Sequence, residues 1–377
     1  MSCKSKNNIS GYCIIHNGCG CLEYDANVIK DELNVLGLSE VDSEIADIFI
    51  ILGCTFSMQK EHEFEKLLND IYEYKNFHLI IASGCFLRKK HKNNKLHYIK
   101  KGEIQNFISK YFHLTPLEIV STLNPIQNIT ISEGCYGNCA YCSVKLARGR
   151  HLSRDIGDIC KDIEKSSSLA YIKFVGQDIG AYGLDKDTDI WQLLKYVFQK
   201  YPTQKIKLGP IGIKWLLESK FDDIALLSHN NITGNIHIPI QSASNKILRK
   251  MRREYSLENF YTVYNTLLSY GVKNISTDIM AGFPSETEMD HQENIKFLKK
   301  YSFSFAQIFM YEPREKTEAF EMKDIAIEVK SRRTTDLIST YLCKYSKDRK
   351  LNIVTLLSRD TTRLPFNTNL MFKDNER

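Results

Sequence analysis

Three apolar runs near the start of the chain end in the same two letters. In YCIIHNGC, ADIFIILGC and FHLIIASGC, β-branched and aromatic residues stop at Gly18-Cys19, Gly53-Cys54 and Gly84-Cys85. Short continuous runs of this composition predict strands buried on both faces. Between them, DANVIKDELNVLGL and QKEHEFEKLLNDIYEY place apolar residues at steps of three and four, the pattern of a helix with one buried face. Strands that alternate with helices predict an α/β fold with a parallel sheet.

That architecture draws distant residues together. Functional groups of an open parallel sheet gather beyond the carboxyl ends of its strands, so all three Gly-Cys pairs are expected along one edge. A glycine before each cysteine lets the backbone turn sharply where the strand stops. We therefore expect a metal site built from Cys19, Cys54 and Cys85, against the plainer reading of three incidental thiols. Cys21 is an alternative to Cys19, which is preferred because it follows the repeated glycine. Cys3, Cys13, Cys160 and Cys343 share no such context and are expected to be ordinary thiols.

A further strand is expected in NPIQNITISEGC, just ahead of Cys135, Cys139 and Cys142. This C-x3-C-x2-C cluster then occupies a loop at a strand's carboxyl end. Thiolates are the natural ligands of iron-sulfur clusters, and a four-iron cluster needs four of them to be closed. Three leave one iron open to a substrate or cofactor. Zinc usually takes paired cysteine knuckles, which are missing after Cys142, although His151 is an available ligand.

Composition narrows the class. At 377 residues and 43% apolar content, the chain is long enough for two ordinary domains, which excludes a disordered or fibrous protein. No stretch is long and apolar enough for a signal peptide or a membrane span, so a cytoplasmic protein without a membrane partner is expected. Eleven cysteines in a reducing compartment point to metal ligands or thiols and away from a disulfide framework. The net charge of +6 is uneven: the stretch from Phe86 to Lys110 and the tail from Ser331 to Arg377 are strongly basic, and the remainder is net acidic.

The spacing Cys135, Cys139, Tyr141, Cys142 resembles the signature of radical S-adenosylmethionine enzymes. Further stretches follow in the order seen in methylthiotransferases of the MiaB and RimO type: GC before EYDAN, GC at Cys54 and Cys85, ARGRHLSRDIGDI, GQDIGAYG, HIPIQSASNKILRKMRREY, TDIMAGFPSET and YEPREKTEA. The resemblance covers roughly residues 12 to 330. It implies a flavodoxin-like parallel-sheet domain (residues 10–125) whose cysteines hold an auxiliary cluster, an incomplete (β/α) radical SAM barrel (126–330) and a basic tail (331–377). It also implies two 4Fe-4S clusters, S-adenosylmethionine, and an electron donor such as flavodoxin or ferredoxin. Cys135, Cys139 and Cys142 would be the catalytic cluster ligands. Tyr141, Gly176, Gln177, Asp178, Gln241, Ser242 and Gly282 would lie around the cofactor, and Arg148 and Arg150 could meet its carboxylate or a substrate phosphate.

The acceptor is expected to be transfer RNA, because DIGAYG and KMRREY look most like the branch that methylthiolates threonylcarbamoyladenosine beside the anticodon. Family members of that kind usually end in a small RNA-gripping β-barrel, the TRAM domain, which the approximately 47 residues after Lys330 are too few to build. The basic patch from Arg88 to Lys110, with Lys89, Lys90 and Lys92, would replace some of the lost phosphate contacts, against the plainer reading of a solvated linker. The alternatives are a protein or ribosomally made peptide as acceptor, or a non-catalytic iron-sulfur redox protein.

Overall fold

The computed structural model describes residues 9, 11–54, 58–74, 77–85, 95–114 and 125–348. Cys3, Lys89, Lys90, Lys92 and the tail beyond residue 348 lie outside them. The chain forms two compact units, Met1–Cys135 with Val144–Gln177, and Tyr136–Ser143 with Asp178–Arg377. The α/β class with parallel strands expected above is the class observed.

The first unit begins β1 (Tyr12–His16), α1 (Gly20–Asn34), β2 (Ile48–Gly53), α2 (Met58–Tyr74), β3 (Leu79–Gly84), β4 (Leu96–Tyr98) and α3 (Ile104–Phe112). The four strands pair in parallel in the order β1-β2-β3-β4, with Ile14 beside Ile50, Ile51 beside Ala82 and Gly53 beside Gly84. Successive side chains of a strand point to opposite faces. Ile48, Ile50, Leu52, Leu79 and Ile81 accordingly meet Leu22, Ile29 and Leu33 of α1 and Ile104 and Ile108 of α3. Phe49, Ile51, Ile80 and Ala82 meet Phe64, Leu68 and Ile71 of α2 on the other face. Two covered faces explain why these strands read as unbroken apolar runs.

The rest of this unit is β5 (Asn128–Thr130), β6 (Ser132–Glu133), α4 (Val144–Arg148), β7 (Leu152–Ser153), α5 (Ile156–Lys165) and β8 (Tyr171–Val175). β5 pairs in parallel with β8, and β6 pairs antiparallel with β7. The strand expected before Cys135 is thus present as two short pieces.

The second unit contains α6 (Ile190–Lys200), β9 (Lys205–Leu208), α7 (Ile213–Glu218), α8 (Phe221–Ala225), β10 (Ile236–His237), α9 (Asn245–Lys250), α10 (Leu257–Ser269), β11 (Ile275–Ala281), α11 (Glu288–Lys300), β12 (Phe305–Met310) and α12 (Ile327–Asp348). β10, β11 and β12 form a parallel sheet. Capping boxes start the helices that cross between strands, Ser256 with Asn259 for α10 and Thr287 with Asp290 for α11. The basic helix expected from Ser331 begins at Ile327 and is part of this core: Leu337 and Tyr341 are buried. Lys344 donates to the carbonyls of Leu298, Lys299 and Tyr301 at 3.3, 3.1 and 2.7 Å, a cation at the carboxyl end of α11, where the helix dipole favours it.

Candidate functional site

In the first unit, the three Gly-Cys pairs stand where their strands stop. Cys54 and Cys85 are buried directly after β2 and β3, while Cys19 is exposed and caps the amino end of α1. The rim is stitched by its own backbone: Cys85 N–H donates to Gly53 O at 2.8 Å, and Cys54 N–H donates to Asn17 Oδ1 at 3.0 Å. A Cβ on Gly18 would run into the Leu22 side chain and sit 3.1 Å from Cys54 Cβ, so that glycine keeps space beside both.

The thiols differ electrically. A hydrogen bond from Cys21 pulls the Cys19 thiol down to about 5, and the same bond raises the buried Cys21. Burial pushes Cys85 up, opposed by Arg148, whose Nε donates to its sulfur at 2.8 Å. Arg148 also donates from Nη2 to Asp25 at 2.8 Å, and Asp25 accepts from Lys101 at 2.8 Å. Lys101 in turn pairs with Glu133. Asp25, Ser83, Gly84, Lys101, Glu133 and Arg148 line a cavity of about 440 Å³. Arg148 is thus committed to a thiol and a carboxylate, and Arg150 is exposed.

The stem of the three-cysteine loop is built in this unit as well. Gly134 has φ +68°, and a Cβ there would collide with the backbone of Arg150. Its N–H donates to Gln177 Oε1 at 2.9 Å, so Gln177 shapes the approach to Cys135. Gly176 follows β8 and is half-buried.

Cys139 and Cys142 belong to the second unit, where Cys142 N–H donates to Cys139 O at 3.2 Å. The segment is anchored at Ala140, whose N–H donates to Met251 O and whose carbonyl accepts from Ala319 N–H. Tyr141 packs edge-on against Phe283, and burial holds its hydroxyl well above the ordinary tyrosine range. Arg253 donates from Nη1 to Cys139 Sγ at 3.1 Å, from Nη2 to Pro239 O at 3.1 Å and from Nε to Tyr255 Oη at 2.8 Å. Tyr255 lies within hydrogen-bond distance of the carbonyls of Pro239 and Ile240.

Other expected residues have visible neighbours. Asp178 accepts from Trp215 Nε1 at 2.8 Å. Ser242 is fully buried against Asn294. Gly282 has φ +74°, its N–H donates to Glu286 at 3.1 Å, and a Cβ would run into Lys330. The turn alone therefore demands glycine there. Gln241 adopts φ +71°, which costs a non-glycine residue free energy, and its buried Oε1 has no hydrogen-bond partner among the described residues. Its Nε2 reaches Asp278, which pairs with His237 at 3.0 Å.

Among the described residues, no three His, Cys, Asp or Glu side chains are gathered closely enough to hold a metal ion. Nor is any described helix long and apolar enough to cross a membrane. Arg253, Tyr255, His237, Asp278 and Asp25 were not singled out from the sequence. Their letters stand inside KMRREY, HIPIQ, TDIMAG and EYDAN, but their partners, as far away as 114 positions for Arg253 and 123 for Asp25, are not readable there.

Comparison with known proteins adds to this geometry. Residues 129–298 match the Radical SAM superfamily, and residues 11–103 match the Uncharacterized protein family UPF0004. The chain is 30% identical over 345 residues to a probable threonylcarbamoyladenosine tRNA methylthiotransferase of Methanocaldococcus jannaschii, covering 84% of this chain and 79% of that one. It is 34% identical over 234 residues to the Homo sapiens threonylcarbamoyladenosine tRNA methylthiotransferase, covering 60% of this chain and 40% of that one. The match thus spans 40% of the length of the human relative. A tRNA-2-methylthio-N(6)-dimethylallyladenosine synthase of Thermosipho melanesiensis is 29% identical over 342 residues, 81% of this chain and 76% of that one. Among solved structures, the radical S-adenosylmethionine methyltransferase TsrM from Kitasatospora setae shares the fold, with a TM-score of 0.53 at 9% identity over 80% of this chain and 73% of that one.

Proposed function

Because the chain belongs to the radical S-adenosylmethionine methylthiotransferase family, we propose that it inserts a methylthio group at an unactivated C–H bond of a transfer-RNA adenosine, the threonylcarbamoyladenosine beside the anticodon. Such a bond offers no acidic proton to a general base and no leaving group to a nucleophile, so side-chain catalysis alone has nothing to act on. When bound, S-adenosylmethionine supplies the methyl group and the hydrogen-abstracting radical, and the two iron-sulfur clusters supply an electron and the sulfur.

The observation that carries this reading is the pair of separate thiol sets, each with its own arginine. Cys19, Cys54 and Cys85 line the rim of one parallel sheet with Arg148 on Cys85, whereas Cys139 is held by Arg253. Soft thiols with a guanidinium to balance their charge suit iron-sulfur clusters better than a hard cation. Cys135, Cys139 and Cys142 would hold the cluster that leaves a position for S-adenosylmethionine. Cys19, Cys54 and Cys85 would hold the auxiliary one.

The remaining residues orient and enclose. Gln241 Oε1, a buried acceptor without a donor among the described residues, is available to an amino group of the cofactor. Tyr141, Gly176, Gln177, Asp178, Ser242 and Gly282 would shape the surrounding walls, several of them through the turns and hydrogen bonds described above. An electron donor such as flavodoxin or ferredoxin would serve as the reducing partner. The threonylcarbamoyl acceptor is supported by the names of several relatives and by DIGAYG and KMRREY.

Mass spectrometry of nucleosides and peptides from cells with and without the gene tests this. The methylthio group is expected to vanish from threonylcarbamoyladenosine in the deletion strain. Loss from dimethylallyl-type adenosine would move the acceptor within transfer RNA. Unchanged nucleosides beside a peptide that loses the mass of a methylthio group would overturn the RNA reading.

A further inference from the structure

We infer that one arginine in each thiol set, Arg148 on Cys85 and Arg253 on Cys139, tunes the electron affinity of the iron-sulfur cluster bound there. This rests on the reading that the thiols hold clusters. A donor hydrogen-bonded to a ligating sulfur draws off negative charge and favours the reduced cluster, so it raises the reduction potential. Both contacts are short enough to act, at 2.8 and 3.1 Å.

Each guanidinium is held from behind. Arg148 is fixed by Asp25, which is 2% exposed and braced by Lys101. Arg253 is fixed by Pro239 O and by Tyr255, whose ring lies 5.1 Å from its guanidinium carbon. A guanidinium cannot deprotonate in a protein, and its planar fork fixes the donor direction, so the donor is permanent and pre-organised.

The two sites differ in net charge. At Cys85 the cation is compensated by the Asp25 carboxylate. At Cys139 no carboxylate among the described residues ion-pairs with Arg253, and its other partners are neutral oxygens. A full positive charge therefore faces Cys139, and the larger effect belongs there. Arg253 acts through the ligating sulfur and is a positioning residue.

The test is a potentiometric titration followed by electron paramagnetic resonance on the anaerobically reconstituted full chain. The two signals are assigned by comparison with the alanine variants of each cysteine triplet. Arg253→Gln should lower only the midpoint of the Cys135, Cys139, Cys142 signal, cutting the reduced-to-oxidised ratio at the native midpoint at least tenfold, about 59 mV for one electron. Arg148→Gln should lower only the other midpoint, and by less. Arg253→Lys, which keeps a charge and a donor, should fall between native and Arg253→Gln. Unchanged midpoints in variants with native iron content would overturn the inference. So would loss of iron from both Arg253→Gln and Arg253→Lys with native circular dichroism, which would make the arginine a structural brace. If the unaltered chain yields no four-iron signal at all, the cluster reading itself falls.

Discussion

Gly53 accepts the backbone N–H of Cys85 at 2.8 Å and lies beside Gly84 in the sheet register, so the second and third Gly-Cys pairs are joined at the rim. The join leaves no space. At Gly84, φ is +108°, and a Cβ would stand 2.6 Å from Gly53 O and 2.9 Å from Gly53 N.

Gly84→Ala should accordingly destabilise the metal-free chain by at least about 1–3 kcal/mol, the usual cost of a residue held in a disfavoured backbone region. Gly102→Ala is the control, since nothing lies within 4 Å of a Cβ there. Urea unfolding of both variants checks the difference. Equal midpoints would show that the rim yields easily.

Replacing Cys135, Cys139 and Cys142 by alanine should remove about half of roughly eight irons in the reconstituted chain, as expected for one of two four-iron clusters. Cleavage of S-adenosylmethionine to 5′-deoxyadenosine should cease. An iron assay that finds the full complement in this variant would show that the loop holds no cluster.

The complementary variant, with alanine at Cys19, Cys54 and Cys85, should separate the two chemistries. Formation of 5′-deoxyadenosine is expected to continue, measured by chromatography, while no sulfur reaches the acceptor. Complete methylthio transfer by this protein would defeat the sulfur-donor role.

Glu286 supplies a pH signature. Burial raises its carboxyl to about 7, against the hydrogen bond from Gly282 and the Arg333 guanidinium at 3.0 Å. Between the ordinary carboxyl value and about 7, the folded chain holds a proton that the unfolded chain has lost. Stability therefore falls as pH rises through that window, by on the order of 3 kcal/mol, and levels off above it. Glu286→Gln should flatten the decline in urea midpoints between pH 5 and 8. A decline as steep as in the native chain would assign it to other groups.

Much of the fold was legible. The apolar runs at Ile48–Gly53 and Leu79–Gly84 read as strands because burial on both faces removes the polar alternation, and α2 was placed within a residue of its start. α1 begins earlier than its periodic stretch, at Gly20, with Cys19 at the N-cap position making no side-chain cap hydrogen bond and Cys21 buried. Pattern alone cannot reveal that. The basic helix after Ser331 was also legible, but not that Leu337 and Tyr341 bury it in the second unit.

Local chemistry was written along the chain: which residues carry thiols, where glycine lets the backbone turn, and which segments must be buried. These follow from side-chain type and short-range periodicity, which depend only on near neighbours. The partners of the thiols depend on the tertiary structure. Arg148 is 63 positions from Cys85, and Arg253 is 114 from Cys139. No periodicity links positions so far apart. Folding brings each guanidinium against a sulfur, and burial makes that contact strong, because an electrostatic interaction removed from water is screened less.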